Sequence, residues 1–434
     1  MAPENTKDLT IRLRKRADST GKALDVDIRV SGGNLCLFGD ADSGRSEVLR
    51  CIAGLDKPDE GRIALGDRVL FDSMEGSCLP PALRRVGYLA EGAGLFSRLT
   101  VSENLRLALS GGGREAGSSP EKHALKEAED SILRDFGLDG LGGLLPEHLS
   151  KSQTVLALFA RMLAAKPSLV LLDNPFRDLG GYEKADILEK IREKLTKERI
   201  PWIFAGNDRD EIYAMGDLVC VLHEGKSEGT KKRDAFFQSP ETLAGAILSG
   251  CENLAPVTRL DAFHVTVPDW GQVLCFRRTE GQAQKKTEEE KTKEEPDPAK
   301  AEEKSGAVKA QEKTAHGEAE RGLVLRRNEG EDIALWRPPG ERWKELPKDI
   351  AAVGIRAEDF LLKEPEEGSA YLALPVRDRK IREERSTLDL AFLPGAQAKK
   401  PLHLRMQKSE MNKNELNSVE KVYISENKIL WLRD

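Results

Sequence analysis

From residue 8 to about residue 230, apolar and polar positions follow two different rhythms. Leu9-Thr10-Ile11-Arg12-Leu13 and Leu24-Asp25-Val26-Asp27-Ile28-Arg29-Val30 alternate residue by residue. A period of two predicts strands with one buried face. Leu35-Cys36-Leu37-Phe38, Leu169-Val170-Leu171-Leu172 and Trp202-Ile203-Phe204-Ala205 are apolar throughout, as further strands. Helical patterns lie between these runs, and the alternation argues for an α/β domain on a parallel sheet, spanning 1–235. Residues 100 to 164 are expected to be mostly helical, broken at Ser110-Gly111-Gly112-Gly113.

The rhythm changes after residue 235. A connecting segment is expected over 236–278. From about Thr279 to Glu320 the chain is Glu, Lys, Ala and Gln with almost no larger apolar residue. Such a stretch cannot bury enough surface to offset its ordering entropy, so 279–348 is expected to be a mostly disordered insertion. Short apolar runs return in 349–434: Tyr371-Leu372-Ala373-Leu374-Pro375-Val376, Thr387-Leu388-Asp389-Leu390-Ala391-Phe392, Leu402-His403-Leu404-Arg405, Val422-Tyr423-Ile424 and Ile429-Leu430-Trp431-Leu432. With turn residues between them, they suggest a small β-barrel-like domain.

The candidate chemistry sits in Gly39-Asp40-Ala41-Asp42-Ser43-Gly44-Arg45-Ser46. It has the frame of a phosphate-binding loop, G-x-x-x-x-G-K-[ST], placed between a strand and a helix, where backbone N–H groups cradle phosphates. Arg45 stands where the frame requires Lys. Its planar fork is bulkier than an ammonium and bonds in other directions. Asp42 replaces a small residue in the cradle, and Asp40 adds a second carboxylate. A like-charge contact at about 5 Å costs roughly 3 kcal/mol at an effective dielectric near 20. Pairing of Arg45 with Asp40 or Asp42 would plug the loop.

Further motifs follow in order: Leu55-Asp56-Lys57-Pro58, Arg84-Arg85-Val86-Gly87-Tyr88-Leu89-Ala90-Glu91, Leu149-Ser150-Lys151-Ser152-Gln153, and Leu169-Val170-Leu171-Leu172-Asp173-Asn174-Pro175. In order and spacing the chain resembles the ATP-binding subunit of ABC transporters, and its segments around Asp67 and Leu79 look most like the molybdate-importer branch. The resemblance covers roughly residues 8 to 275 and most of the tail. It implies a P-loop ABC-type nucleotide-binding domain with a helical subdomain, the opening strands antiparallel, followed by an accessory domain related to oxyanion binding.

The resemblance also implies a role for each matching position. Gly39, Ser43, Gly44, Arg45 and Ser46 would contact ATP phosphates, and Ser46 and Asp173 would hold Mg²⁺. Glu91 stands at the γ-phosphate-sensing Gln, and Asn207 at the switch His. Ser150, Lys151, Ser152 and Gln153 form the signature Leu-Ser-Gly-Gly-Gln, with both glycines replaced. Asn174 takes the place of the Glu that polarises water, and an amide cannot accept a proton at neutral pH. No aromatic lies between Met1 and Arg29 to stack on adenine. A lost base and a lost sensor each remove on the order of 10²–10⁴ in rate. Weakened ATP/Mg²⁺ binding and little turnover follow.

Composition narrows the remaining classes. With 68 Lys+Arg against 74 Asp+Glu the net charge is −6, which gives a nucleic-acid partner no support. No apolar run approaches the ~18 residues that a membrane span needs, and no N-terminal signal pattern is present. The expected location is cytoplasmic, peripheral at the inner face of the membrane through a permease. Six scattered cysteines, without C-x-x-C spacing, are expected as buried thiols. The resulting expectation is a degenerate, non-hydrolysing structural or regulatory ABC subunit. It would pair as a homodimer, or as a heterodimer with another ABC ATPase, beside membrane permease subunits, with a molybdate-like oxyanion as a further candidate partner. An active ATPase for oxyanion import, and a nucleotide or oxyanion sensor outside transport, are the alternatives.

Overall fold

The computed structural model describes residues 8–17, 23–111, 122–261, 264–275, 323–326, 332–335, 348–363, 365, 371–425 and 428–433. The chain divides into two compact units, Met1–Gly250 and Cys251–Asp434.

The first unit is built on a mixed sheet of twelve strands. In chain order these are β1 (Leu9–Lys15), β2 (Leu24–Val30), β3 (Leu35–Phe38), β4 (Glu60–Leu65), β5 (Arg68–Asp72), β6 (Ser77–Cys78), β7 (Val86–Leu89), β8 (Leu169–Asp173), β9 (Trp202–Gly206), β10 (Leu218–His223), β11 (Lys226–Ser227) and β12 (Lys231–Lys232). The helices are α1 (Arg45–Ala53), α2 (Pro81–Arg84), α3 (Val101–Gly111), α4 (Lys122–Phe136), α5 (Lys151–Ala164), α6 (Gly181–Lys197), α7 (Arg209–Met215), α8 (Arg233–Gln238) and α9 (Leu243–Leu248). Strands β10, β3, β9, β8 and β7 pair in parallel, and β1 pairs antiparallel with β2 and β4.

The all-apolar runs are explained by two cores, one on each side of the parallel strands. Leu35, Leu37, Leu169, Leu171, Ile203, Ala205, Cys220 and Leu222 face one core, shared with Val48, Leu49 and Ile52 of α1. Cys36, Phe38, Val170, Leu172, Trp202, Phe204, Val219 and Val221 face the other, shared with α3 to α6. A strand covered on both faces has no polar side to show. In the second core Phe176 stacks between Phe159 and Phe204, with ring centroids 6.0 and 5.9 Å away. β1 and β2 are covered by α1's core on one face only: Ile11, Leu13, Val26 and Ile28 are buried in it, while Arg12 and Asp27 pair at the surface.

Helix α1, which carries the candidate loop at its start, is held at its other end by a buried arginine. Arg84 donates from Nη1 to the Cys51 and Ile52 carbonyls at 2.7 and 2.8 Å, and from Nε to the Leu79 carbonyl at 2.7 Å. Carbonyls at a helix C-terminus lack intrahelical donors and carry partial negative charge, so a buried guanidinium satisfies both needs.

The second unit is β-rich, as expected from its runs. Its described strands pair as separate ladders: 253–256 with 350–355 and 430–433, 258–259 with 264–267 and 272–275, 371–375 with 421–425, and 377–383 with 387–393 and 402–407. They share a core that includes Val265, Val353, Ile355, Leu390, Phe392, Leu404 and Ile424. Asn253 is buried within it. Its amide donates to the Ile355 and His403 carbonyls, and its carbonyl accepts from the His403 N–H.

Two expectations shift. The segment over 236–278 is not a separate connector: 236–250 belongs to the first unit and 251–275 supplies strands of the second. The insertion expected over 279–348 lies mostly outside the described residues; inside it, Leu323–Arg326 and Asp332–Leu335 pair as an antiparallel ladder. Of the cysteines, Cys36, Cys51, Cys220 and Cys251 are buried, and burial pushes the Cys51, Cys220 and Cys251 thiols up to about 12. Cys78 is exposed, against expectation, because β6 ends the sheet's antiparallel side.

Candidate functional site

The loop from Gly39 to Gly44 joins β3 to α1. It folds tightly because two of its residues lack side chains. A Cβ on Gly39 would lie 2.4 Å from the Leu222 carbonyl and 2.6 Å from Ser43 Oγ. Gly44 adopts φ +93°, a left-handed conformation that glycine enters without steric cost.

Arg45 opens α1 and turns its side chain back over this loop. Nε donates to Ser43 Oγ at 3.2 Å and Nη2 to the Asp40 carbonyl at 3.3 Å. The expected tie to Asp40 is thus made through backbone rather than carboxylate. The residue is 7% exposed, and Nη1 is buried without a hydrogen-bond partner. Burial lowers the guanidinium pKa, and the nearby Asp173, Glu91, Asp40 and Glu211 oppose that fall.

Ser46 and Asp173, the pair expected to hold Mg²⁺, meet directly: Ser46 Oγ donates to Asp173 Oδ1 at 3.0 Å. The other carboxylate oxygen accepts from Tyr88 Oη, also at 3.0 Å. Asp173 is buried at the end of β8, and burial raises its pKa against the opposing hydroxyl donors and Arg45. Tyr88 was not anticipated; its one sequence signal is a phenol inside the short strand β7.

Asn174 follows Asp173 with φ +47°, its amide N–H bonded to the Ala205 carbonyl at 2.8 Å. Asparagine tolerates this region better than most residues. Glu91, just beyond β7, is ion-paired with Arg177, another residue the sequence did not single out. Glu91, Asn174, Arg177 and Lys151 line one cleft of about 380 Å³.

The signature residues are largely bonded within this chain. Ser150 caps α5 and accepts from the Gln153 N–H at 3.1 Å, while Gln153 Oε1 accepts from the Ser150 N–H at 2.9 Å. This is a reciprocal capping box. Ser152 Oγ donates to Glu183 at 2.6 Å, and Lys151 is exposed. Asn207 is exposed after β9, outside the cleft lining.

Behind the loop, Glu211 of α7 is 1% exposed. Its Oε1 accepts from Lys184 at 2.5 Å, and its Oε2 is buried without a partner. Lys184 also binds Asp208 at 3.0 Å. Burial raises the Glu211 pKa, opposed by Lys184 and by Arg45. The structure therefore gathers Arg45, Ser46, Asp173 and Glu91 at one end of the parallel strands, together with Tyr88, Arg177 and Glu211.

A family model described as ABC transporter matches residues 23–177. The chain is 32% identical over 238 residues to a sulfate/thiosulfate import ATP-binding protein of Caulobacter vibrioides, covering 54% of this chain and 68% of that protein. It is 32% identical over 218 residues to a molybdenum import ATP-binding protein of Brucella abortus, covering 50% of this chain and 58% of that protein. It thus spans less than two thirds of the latter's length. Among solved structures, the cbiO1 protein of Clostridium perfringens aligns with a TM-score of 0.46 at 21% identity, covering 54% of this chain and 91% of that one. With the phosphate-loop frame, the Ser46–Asp173 pairing and a relative matched over two thirds of its length, the chain belongs to the ABC transporter family of ATP-binding proteins.

Proposed function

We propose that this chain is a non-hydrolysing ABC subunit of a molybdate-type importer, acting as a structural or regulatory partner rather than as the motor. The observation that carries this reading is Asn174. It stands beside the buried Asp173, where water activation needs a carboxylate. The neighbouring acid at the cleft, Glu91, is paired with Arg177 and has its charge already matched.

The residues fit Mg²⁺-ATP only in part. Ser46 and Asp173 converge as a hydroxyl and a carboxylate should around a hard cation. The phosphate side does not fit, because the guanidinium of Arg45 is folded over the loop that phosphates would enter. Relatives named as sulfate and molybdenum import proteins support an oxyanion importer as the setting. In that setting the chain sits at the membrane's inner face through permease subunits, paired with a second cassette. Among the described residues no helix is long and apolar enough to cross a membrane.

The retained Ser46–Asp173 contact favours a second reading, an active ATPase. Calorimetry with Mg-ATP and Mg-ADP on the purified chain, with phosphate release followed in the same samples, separates the two. The proposal expects no release above background. Release that Asp173→Asn abolishes would establish the active ATPase instead.

A further inference from the structure

We infer that Arg45 is an internal plug: its guanidinium occupies the phosphate cradle between Asp40 and Ser43, backed by Glu211, and closes the loop to phosphates until it is released. The inference rests on the reading of a non-hydrolysing subunit and names how its nucleotide site is regulated. Arg45 is 7% exposed, and two of its three nitrogens are bonded to the loop's own atoms, the Asp40 carbonyl at 3.3 Å and Ser43 Oγ at 3.2 Å. An arginine serving as a phosphate ligand needs its planar fork directed at the anion. Here the fork is directed at backbone and hydroxyl oxygens.

Charge points the same way. Asp40, Glu91, Asp173 and Glu211 all lie within electrostatic reach of the guanidinium, so its charge is compensated from inside the protein. Glu211 is 1% exposed with Oε2 lacking a hydrogen-bond partner, and Lys184 binds only its other oxygen. Drawing Arg45 out toward a phosphate would leave that buried carboxylate with less compensation. Ser43 completes the closure, since its Oγ accepts from Arg45 Nε.

The test uses Mg²⁺ with sodium tripolyphosphate as the probe, binding being measured by calorimetry on the full chain. Arg45→Lys keeps the charge but cannot hold Asp40 and Ser43 with one planar fork, and Ser43→Ala removes one of the plug's two bonds without touching the charge. If Arg45 is a plug, each variant binds tripolyphosphate about tenfold more tightly than wild type, and amide hydrogens of residues 40–46 exchange faster in the ligand-free protein. The inference is overturned if wild type binds and Arg45→Lys weakens that binding, which makes Arg45 a ligand. It is equally overturned if neither variant gains affinity. Phosphate release from ATP is scored separately, so turnover by wild type would count against the non-hydrolysing reading and not by itself against the plug.

Discussion

At the scale of single residues, the site is a set of polar groups bonded to one another across the fold. Arg45, Glu91, Asp173 and Asn174 stand out in the sequence because the spacing of a phosphate loop and its companion motifs marks them. Tyr88, Arg177 and Glu211 do not, because each acts on a residue far away in the chain: Tyr88 on Asp173, 85 positions on, and Arg177 on Glu91, 86 positions back. No local pattern encodes such pairs. Asp173 gives a pH prediction. Burial raises its pKa in the folded chain. A raised carboxylate favours folding below the unfolded value, near 4, and loses that contribution as pH climbs through the folded value. Asp173→Asn removes this dependence, and both partners are hydroxyls that can turn to suit an amide. Its melting temperature relative to wild type should therefore rise between pH 4 and pH 8. A constant or falling difference would mean that Asp173 is not destabilised by its surroundings. Asn174→Glu should leave phosphate release at background, because the loop and signature changes remain.

At the scale of elements, the hydrophobic pattern was the most legible part of the chain. Strict alternation identified β1 and β2, and all-apolar runs identified β3, β8 and β9. The strand 377–383, Arg-Asp-Arg-Lys-Ile-Arg-Glu, escaped the same logic. Six of its seven residues are charged, and only Ile381 faces a core, so its place at a sheet edge is set by pairing with 387–393 rather than by its own composition. Charged edge strands of this kind also discourage pairing with other chains. Two substitutions test how the elements are held. Phe176→Ala removes a fully buried ring stacked between Phe159 and Phe204 and should cost about 3–5 kcal/mol in denaturant unfolding. Ser150→Ala removes the α5 cap and should cost about 1 kcal/mol. A cap loss near 3 kcal/mol would show that Ser150 does more than end a helix.

At the scale of the molecule, the parallel sheet, its helical region and the β-rich unit were all visible in the order of apolar runs. The boundary was not. It falls after Gly250, because helix α9 buries Ala246 in the first unit although 236–250 carries the Ser, Pro and Gly residues of a connecting segment. A fragment ending at residue 250 contains both cores of the first unit and should melt cooperatively on its own; a broad, non-cooperative transition would mean that those cores need the second unit. The central claim is that this cassette keeps the family's fold while lacking its hydrolysis. Phosphate release from Mg-ATP by the purified chain, with Asp173→Asn as the control, tests it most directly. The account predicts the same background rate for both proteins. A wild-type rate well above the control would contradict it.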